Sequence, residues 1–221
     1  MTKPIVILGI FNADTAYRAD RQPKMGETIL GTSFVLGPGG KGSNQSVAAA
    51  MAGGRVHFIT RLGADAFAEI AQATRAKAGV VPEVKVDHDS YTGAAYIFIE
   101  NATGNNAIIV APGAAGRVSV QDVEEKADLI RSAAIFVTQL EQPIPAAQRA
   151  LEIARAAGVT TILNPAPAAS WISRTVTRKS FGLPSNAGLS DSDCWVFAMQ
   201  IGSLSNPAFF SCSRSRLARA V

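Results

Sequence analysis

Gly37-Pro-Gly-Gly-Lys-Gly-Ser-Asn44 runs without a break into Gln45-Ser-Val-Ala-Ala-Ala-Met-Ala-Gly-Gly54, and the rest of the chain is read from this stretch. Glycines packed ahead of an alanine-rich helix let the backbone come close to a ligand, and a helix start offers amide donors with no partner inside the helix. Lys41 adds a mobile cation, and Asn44 adds an amide that both donates and accepts. The combination describes the floor of a polar pocket.

On the N-terminal side, Ile5-Val-Ile-Leu-Gly-Ile-Phe11 is a short continuous apolar run, the pattern of a buried parallel strand. It delivers Asn12 and Asp14 at its C-terminal end, the edge where open α/β sheets hold ligands. Polar Arg21-Gln-Pro-Lys-Met-Gly26 and a second apolar piece, Thr32 to Leu36, lead into the glycine loop. On the far side, Gly53-Gly54 closes the helix, Arg55 to Thr60 reads as a strand, and Gly63-Ala-Asp65 turns into a helix over 66–78 that stops at Gly79. Strand–helix–strand–helix is the plan of a parallel sheet with covering helices.

Between Glu83 and Ala111 the texture changes. Val84 and Val86 alternate with charged residues, and the β-rich runs Thr92–Ile99 and Asn106–Val110 flank a Gly/Asn turn, which predicts antiparallel strands in a small separate sheet. The alternation then resumes with a helix over 120–132, a strand over 134–138 that ends near Glu141, a helix over 146–157 and a strand over 160–163.

The net charge of +4 suggests a nucleic-acid partner until the charges are placed. Arg174, Arg178, Lys179, Arg214, Arg216 and Arg219 follow Ser170 against only Asp191 and Asp193, so the first three-quarters of the chain is neutral. That distribution gives no basic stripe and no aromatic platform, and excludes a nucleic-acid surface. No segment approaches membrane-spanning length, and no small-residue cleavage site follows the first apolar run. Both cysteines, Cys194 and Cys212, lie near the C-terminus and form no motif, so the body reads as a cytoplasmic protein. Beyond Ala169 serine becomes dense, both tryptophans appear and no strand–helix alternation emerges. The expected division is an α/β domain over 1–169 and an aberrant or poorly ordered tail over 170–221.

Gly37-x-Gly39-x-x-Gly42 has the spacing of a dinucleotide fingerprint, but it does not follow the first strand, and Asp65 sits in a turn. A Walker loop fails because Gly42 follows Lys41 and Val35 stands where the first glycine belongs. A purely structural turn stays open. His57 reads as a packed or edge residue, and Asp87-His-Asp89 alternates faces on a strand, which argues against a metal site there. Glu141 alone could begin a turn or cap a helix. Together, Asn12, Asp14, residues 39–44 and Glu141 fall on one sheet edge, and such carboxylates and amides suit a polyhydroxyl ligand.

These residues carry a resemblance. Asn12-Ala-Asp14, Pro23-Lys-Met-Gly-Glu-Thr28, Gly39-Gly-Lys-Gly-Ser-Asn-Gln-Ser-Val-Ala-Ala-Ala50, Arg61-Leu-Gly-Ala-Asp65, Thr92-Gly93, Gly113-Ala114, Gln139-Leu-Glu-Gln-Pro143 and Asn164-Pro-Ala-Pro-Ala168 resemble the N-terminal half of ribokinase-type members of the PfkB carbohydrate kinase family. The resemblance covers residues 4–169. It implies a ribokinase-like, doubly wound α/β sheet with helices on both faces and a small β-lid built from about 12–36 and 83–111. It implies that Asn12, Ala13, Asp14, Gly40, Lys41, Gly42, Ser43, Asn44 and Glu141 surround a sugar such as D-ribose. It also implies ATP with Mg²⁺ as phosphoryl donor to the primary 5-hydroxyl, a monovalent cation such as K⁺, and a homodimer formed through the lid.

Members of that family run well past 221 residues and carry an Asn-Glu motif and a Gly-Ala-Gly-Asp motif, whose aspartate is the general base. Neither motif occurs here, and Ser190-Asp-Ser-Asp193 has no glycine hinge. The expectation is a chain with its C-terminal part missing, its tail frame-shifted or otherwise aberrant, no assignable catalytic base, no metal ligand and little of the ATP site. Such a chain binds sugar without turnover, or serves as a non-catalytic interaction module.

Overall fold

The computed structural model describes residues 2–167 and one further short strand, Trp195–Val196. Apart from that strand, the stretch from about 170 expected to be an aberrant tail lies outside the described residues. In chain order the strands are β1 (Ile5–Leu8), β2 (Asn12–Ala19), β3 (Ser33–Gly39), β4 (Val56–Leu62), β5 (Val81–Val86), β6 (Thr92–Glu100), β7 (Asn106–Gly113), β8 (Ile135–Thr138), β9 (Thr160–Leu163) and β10 (Trp195–Val196). The helices are α1 (Lys41–Met51), α2 (Ala66–Ala78), α3 (Val120–Glu124), α4 (Ala127–Ser132) and α5 (Ile144–Ala156).

Six strands form a parallel sheet in the order β10-β9-β8-β1-β4-β5. Side chains on β1 alternate between two layers. Val6 and Leu8 join Phe136 and Ile59 beneath α3, α4 and α5, through Val123, Ile130 and Ala150. Ile7 joins Val56 and Phe58 beneath α1 and α2, through Ala50, Ala68 and Ala71. Helices therefore cover both faces, which is why β1 reads as continuously apolar. Its neighbours β4 and β8 lie on opposite sides, so the strand order reverses at β1, and in open α/β sheets the ligand crevice lies beyond the C-terminal end at such a point.

The remaining strands form a four-stranded lid in the order β3-β2-β6-β7, with β2 and β6 parallel and both outer pairs antiparallel. One expectation fails here. Residues 83–86 do not belong to the lid: β5 pairs parallel with β4, Phe58 opposite Pro82, at the edge of the main sheet. Val84 packs inward while Val81, on the opposite face, stays exposed, and an edge strand with one wet face carries the same two-residue alternation as a lid strand. The lid strands accordingly span 12–39 and 92–113. The helix expected over 120–132 is two short helices, α3 and α4, broken at Glu125-Lys126.

Candidate functional site

The crevice beyond β1 is built from segments that approach each other closely because side chains are missing. Gly9 follows β1 and Gly42 lies in the first turn of α1; a Cβ on Gly42 would stand 2.7 Å from the Gly9 Cα and 2.9 Å from Gln139 Oε1. Gly40, the residue before α1, has φ 90°, and a Cβ there would lie 2.5 Å from the Ile10 carbonyl oxygen. On Gly39 a Cβ would collide with the Asp14 carboxylate. The glycine run is therefore what lets the start of α1 lie directly against the end of β1 and the start of β2.

Glu141 closes the site from the other side. It follows β8, and its carboxylate accepts from the Lys41 backbone amide at 2.7 Å and from Lys41 Nζ at 2.7 Å. It thus caps α1 across a hundred residues of chain, rather than the helix that follows it in sequence. The helix start is consequently less open than its sequence suggests: the Lys41 amide is held by Glu141 and the Ser43 amide by the Ile10 carbonyl at 3.2 Å.

Asp14 stands at the start of β2 against Gly39. Burial, reinforced by the neighbouring Glu141 carboxylate and only partly relieved by Lys41, pushes its pKa up to about 6. Asn12 is buried, and its Oδ1 has no hydrogen-bond partner among the described residues. That oxygen lies against Gly93 at the start of β6, where a Cβ would collide with it. Asn44 is half-buried in the first turn of α1.

Two expected site residues turn inward. The Ala13 methyl belongs to the core layer under α1 and α2, and strand alternation accounts for this, because Asn12 and Asp14 face the other way. Ser43 is buried, on the helix side that packs against the sheet. Gly42 is likewise a packing contact. Asn12, Asp14, Gly40, Lys41, Asn44 and Glu141 gather around the starts of β2 and α1.

Sequence reasoning missed a buried amide pair behind these residues. Gln139 is fully buried, donates through Nε2 to Gln45 Oε1 on α1, and rests its Oε1 in the Gly9–Gly42 contact. Gln142 donates to Thr138 Oγ1 at 2.8 Å and to the Gln139 carbonyl at 2.6 Å. These amides tie the end of β8, and with it Glu141, to α1. The position of Gln139, two residues before Glu141 at a C-terminal strand end, was visible in the sequence, but its partner Gln45 on α1 was not.

A family model described as pfkB family carbohydrate kinase matches residues 2–181. The chain belongs to this family. A pfkB-family relative, the ribokinase of Staphylococcus aureus (strain COL), is 38% identical over 179 residues, covering 76% of this chain and 56% of that protein. The deoxyribokinase of Salmonella typhimurium is 33% identical over 165 residues, covering 74% of this chain and 54% of that protein. A solved structure of Arabidopsis thaliana ribokinase complexed with ribose and ATP superposes with a TM-score of 0.65 at 31% identity, covering 74% of this chain and 54% of that one. The chain spans a little over half the length of the curated relatives it matches. Within the described residues the pfkB-family fold is the ribokinase-like α/β sheet with its β-lid.

Proposed function

We propose that this pfkB-family chain grips ribose or a related furanose in the crevice beyond β1, as the sugar-binding half of an ATP-dependent kinase acting on the primary 5-hydroxyl. One observation carries the reading: an unpartnered Asn12 oxygen, the Asp14 carboxylate and the Lys41–Glu141 pair converge at the point where the strand order reverses. Asp14 accepts from two neighbouring hydroxyls, Asn12 Oδ1 accepts a third, and Asn44 supplies a donor. Lys41 and Glu141 already satisfy one another, so the sugar takes up acceptor capacity left on Glu141. Catalysis in this class rests on positioning and charge stabilisation, and the residues in hand supply the positioning.

ATP, Mg²⁺ and K⁺ enter this reading through the family. Among the described residues no three His, Cys, Asp or Glu side chains group together, and a magnesium ion carried on nucleotide phosphates needs no such group. The sequence carries no Gly-Ala-Gly-Asp base motif. A second reading is a sugar binder without turnover. The exposed apolar side chains of the outer lid strands, Phe34, Val35 and Leu36 on β3 and Ile108, Ile109 and Val110 on β7, support a homodimer that pairs lid on lid. No described helix is long and apolar enough to cross a membrane, and a cytoplasmic location fits this assignment.

Calorimetric titration of the 221-residue chain with D-ribose tests the grip. Saturable one-site binding is expected, and no heat at millimolar ribose overturns the proposal. A coupled ADP-release assay on the same preparation separates the kinase from the non-catalytic binder.

A further inference from the structure

Arg61-Leu-Gly-Ala-Asp65 lies outside the crevice, yet its two charged ends reach two chain segments that connect the lid to the main sheet. Asp65 divides its carboxylate. Oδ1 accepts from the Ala68 amide at 2.9 Å and caps α2, while Oδ2 accepts from the Thr92 amide at 2.7 Å, where the chain enters β6. The contact is returned, because the Gly63 amide donates to Thr92 Oγ1 at 2.9 Å. Gly63 has room for no side chain: a Cβ there would lie 2.6 Å from the Ser90 carbonyl oxygen and 2.7 Å from the Thr92 nitrogen.

At the other end, Arg61 donates to both Asp122 oxygens, at 2.6 Å and 2.9 Å, and to Asp87 Oδ2 at 3.3 Å. Asp87 lies on the way from β5 into the lid, and its second oxygen accepts from Arg117 at 3.0 Å. Arg117 and Asp122 lie on the return from β7 into α3. One five-residue segment therefore holds both the entry to the β6–β7 half of the lid and its exit. The crossings into and out of the β2–β3 half are instead the Gly9–Phe11 and Gly39–Gly40 segments that form the crevice.

We propose that Arg61–Asp65 is the fixed anchor of the lid and that Asp65 is a positioning residue for the sugar site. It holds Thr92, and Thr92 holds Gly93 against the unpartnered Asn12 oxygen, so the anchor sets the wall behind the pocket. The statement about the pocket rests on the sugar-binding reading; the anchor itself does not.

Asp65→Ser separates the anchor from the cap. Serine caps a helix about as well as aspartate but is too short to reach Thr92 at the same time. Amide hydrogen exchange of the ligand-free 221-residue chain is the first readout. Peptides covering β6 are expected to exchange about tenfold faster in Asp65→Ser, while those covering α2 keep the wild-type rate. Unchanged β6 exchange overturns the anchor, and so does equal acceleration of α2 and β6, which marks Asp65 as a cap alone. Ribose titration is the second readout, with about tenfold weaker binding expected in the variant; wild-type affinity in a variant with loosened β6 removes the positioning role. If the wild type binds no ribose, the sugar reading falls while exchange still decides the anchor. Should Asp65→Ser not fold, Thr92→Val, which removes the acceptor of the Gly63 amide, carries the same test with the same expected direction.

Discussion

Asp14→Asn is expected to stabilise the protein while weakening its hold on sugar. The Asp14 carboxyl sits at about 6 in the fold because burial and Glu141 oppose its charge, against an ordinary 3.8. That gap is worth on the order of 3 kcal/mol at about 1.4 kcal/mol per pH unit, reduced to about 2 kcal/mol because the side chain is only half-buried. The sign follows from proton binding. Between 3.8 and about 6 the folded chain holds a proton that the unfolded chain has lost, so stability falls as pH rises through that window and stays reduced above it. Asparagine carries no such penalty. In urea at pH 7.5, with a slope of about 2 kcal/mol per molar, Asp14→Asn is expected to raise the midpoint by about 1 M. Near pH 4 the gain is expected to vanish, because wild-type Asp14 is then protonated in the fold. Ribose affinity by calorimetry is expected to drop at least tenfold at pH 7.5, since the amide offers one acceptor atom in place of two. Loss of stability at pH 7.5, or a gain that persists undiminished at pH 4, would refute this account of the site.

Two other substitutions test the packing around the site. Arg75 is fully buried on the inner face of α2 beside Ala68 and Ala71, none of its guanidinium nitrogens has a partner among the described residues, and burial pushes it down to about 10. Arg75→Met keeps the length and removes the charge. It is expected to stabilise by about 3 kcal/mol, a rise of roughly 6–10 °C in the thermal midpoint by calorimetry, and an unchanged or lower midpoint contradicts the unpaired charge. Gly42→Ala gains helix propensity of about 1 kcal/mol but forces α1 away from β1 at the Gly9 contact, so a net loss of about 1–2 kcal/mol in urea unfolding is expected, with weaker ribose binding.

The main sheet was legible because burial on both faces leaves an unmistakable apolar run, as in Ile5–Leu8, and because glycines mark helix ends such as Gly79, which takes φ 73°. The grouping of Asn12, Asp14 and Glu141 was legible because each follows a strand at the C-terminal edge of the main sheet. What the sequence did not reveal involves partners distant along the chain. The alternation of Val84 and Val86 announces one wet face but not which sheet the strand joins, and β5 joined the larger. Ala13 and Ser43 carried the motif's spacing, yet strand alternation and helix facing turned them inward. The Gln45–Gln139 pair spans 94 residues, and no local pattern announces a hydrogen bond at that separation.

On the proposed sugar-binding reading, the charges of the crevice favour a neutral ligand. Asp14 and Glu141 bring two negative charges and Lys41 one positive, and the single cation is already spent on Glu141 at 2.7 Å. Asp14 is left as an unneutralised acceptor in a half-buried place. A neutral polyol meets that need with hydroxyl donors and brings no charge to repel. A sugar phosphate, by contrast, sets a dianion into a site with a net negative charge, where only Lys41 attracts it, and only by giving up Glu141. If the crevice takes a furanose as proposed, the arrangement that suits the uncharged sugar weakens the hold on its phosphorylated form. The asymmetry resides in Asp14, since its conversion to asparagine leaves Lys41 and Glu141 balanced and removes the repulsion. Isothermal titration of the wild type with ribose and with ribose 5-phosphate is expected to favour the neutral sugar, and Asp14→Asn to narrow the difference. A preference for the phosphate in the wild type would place the selecting charge elsewhere than on Asp14.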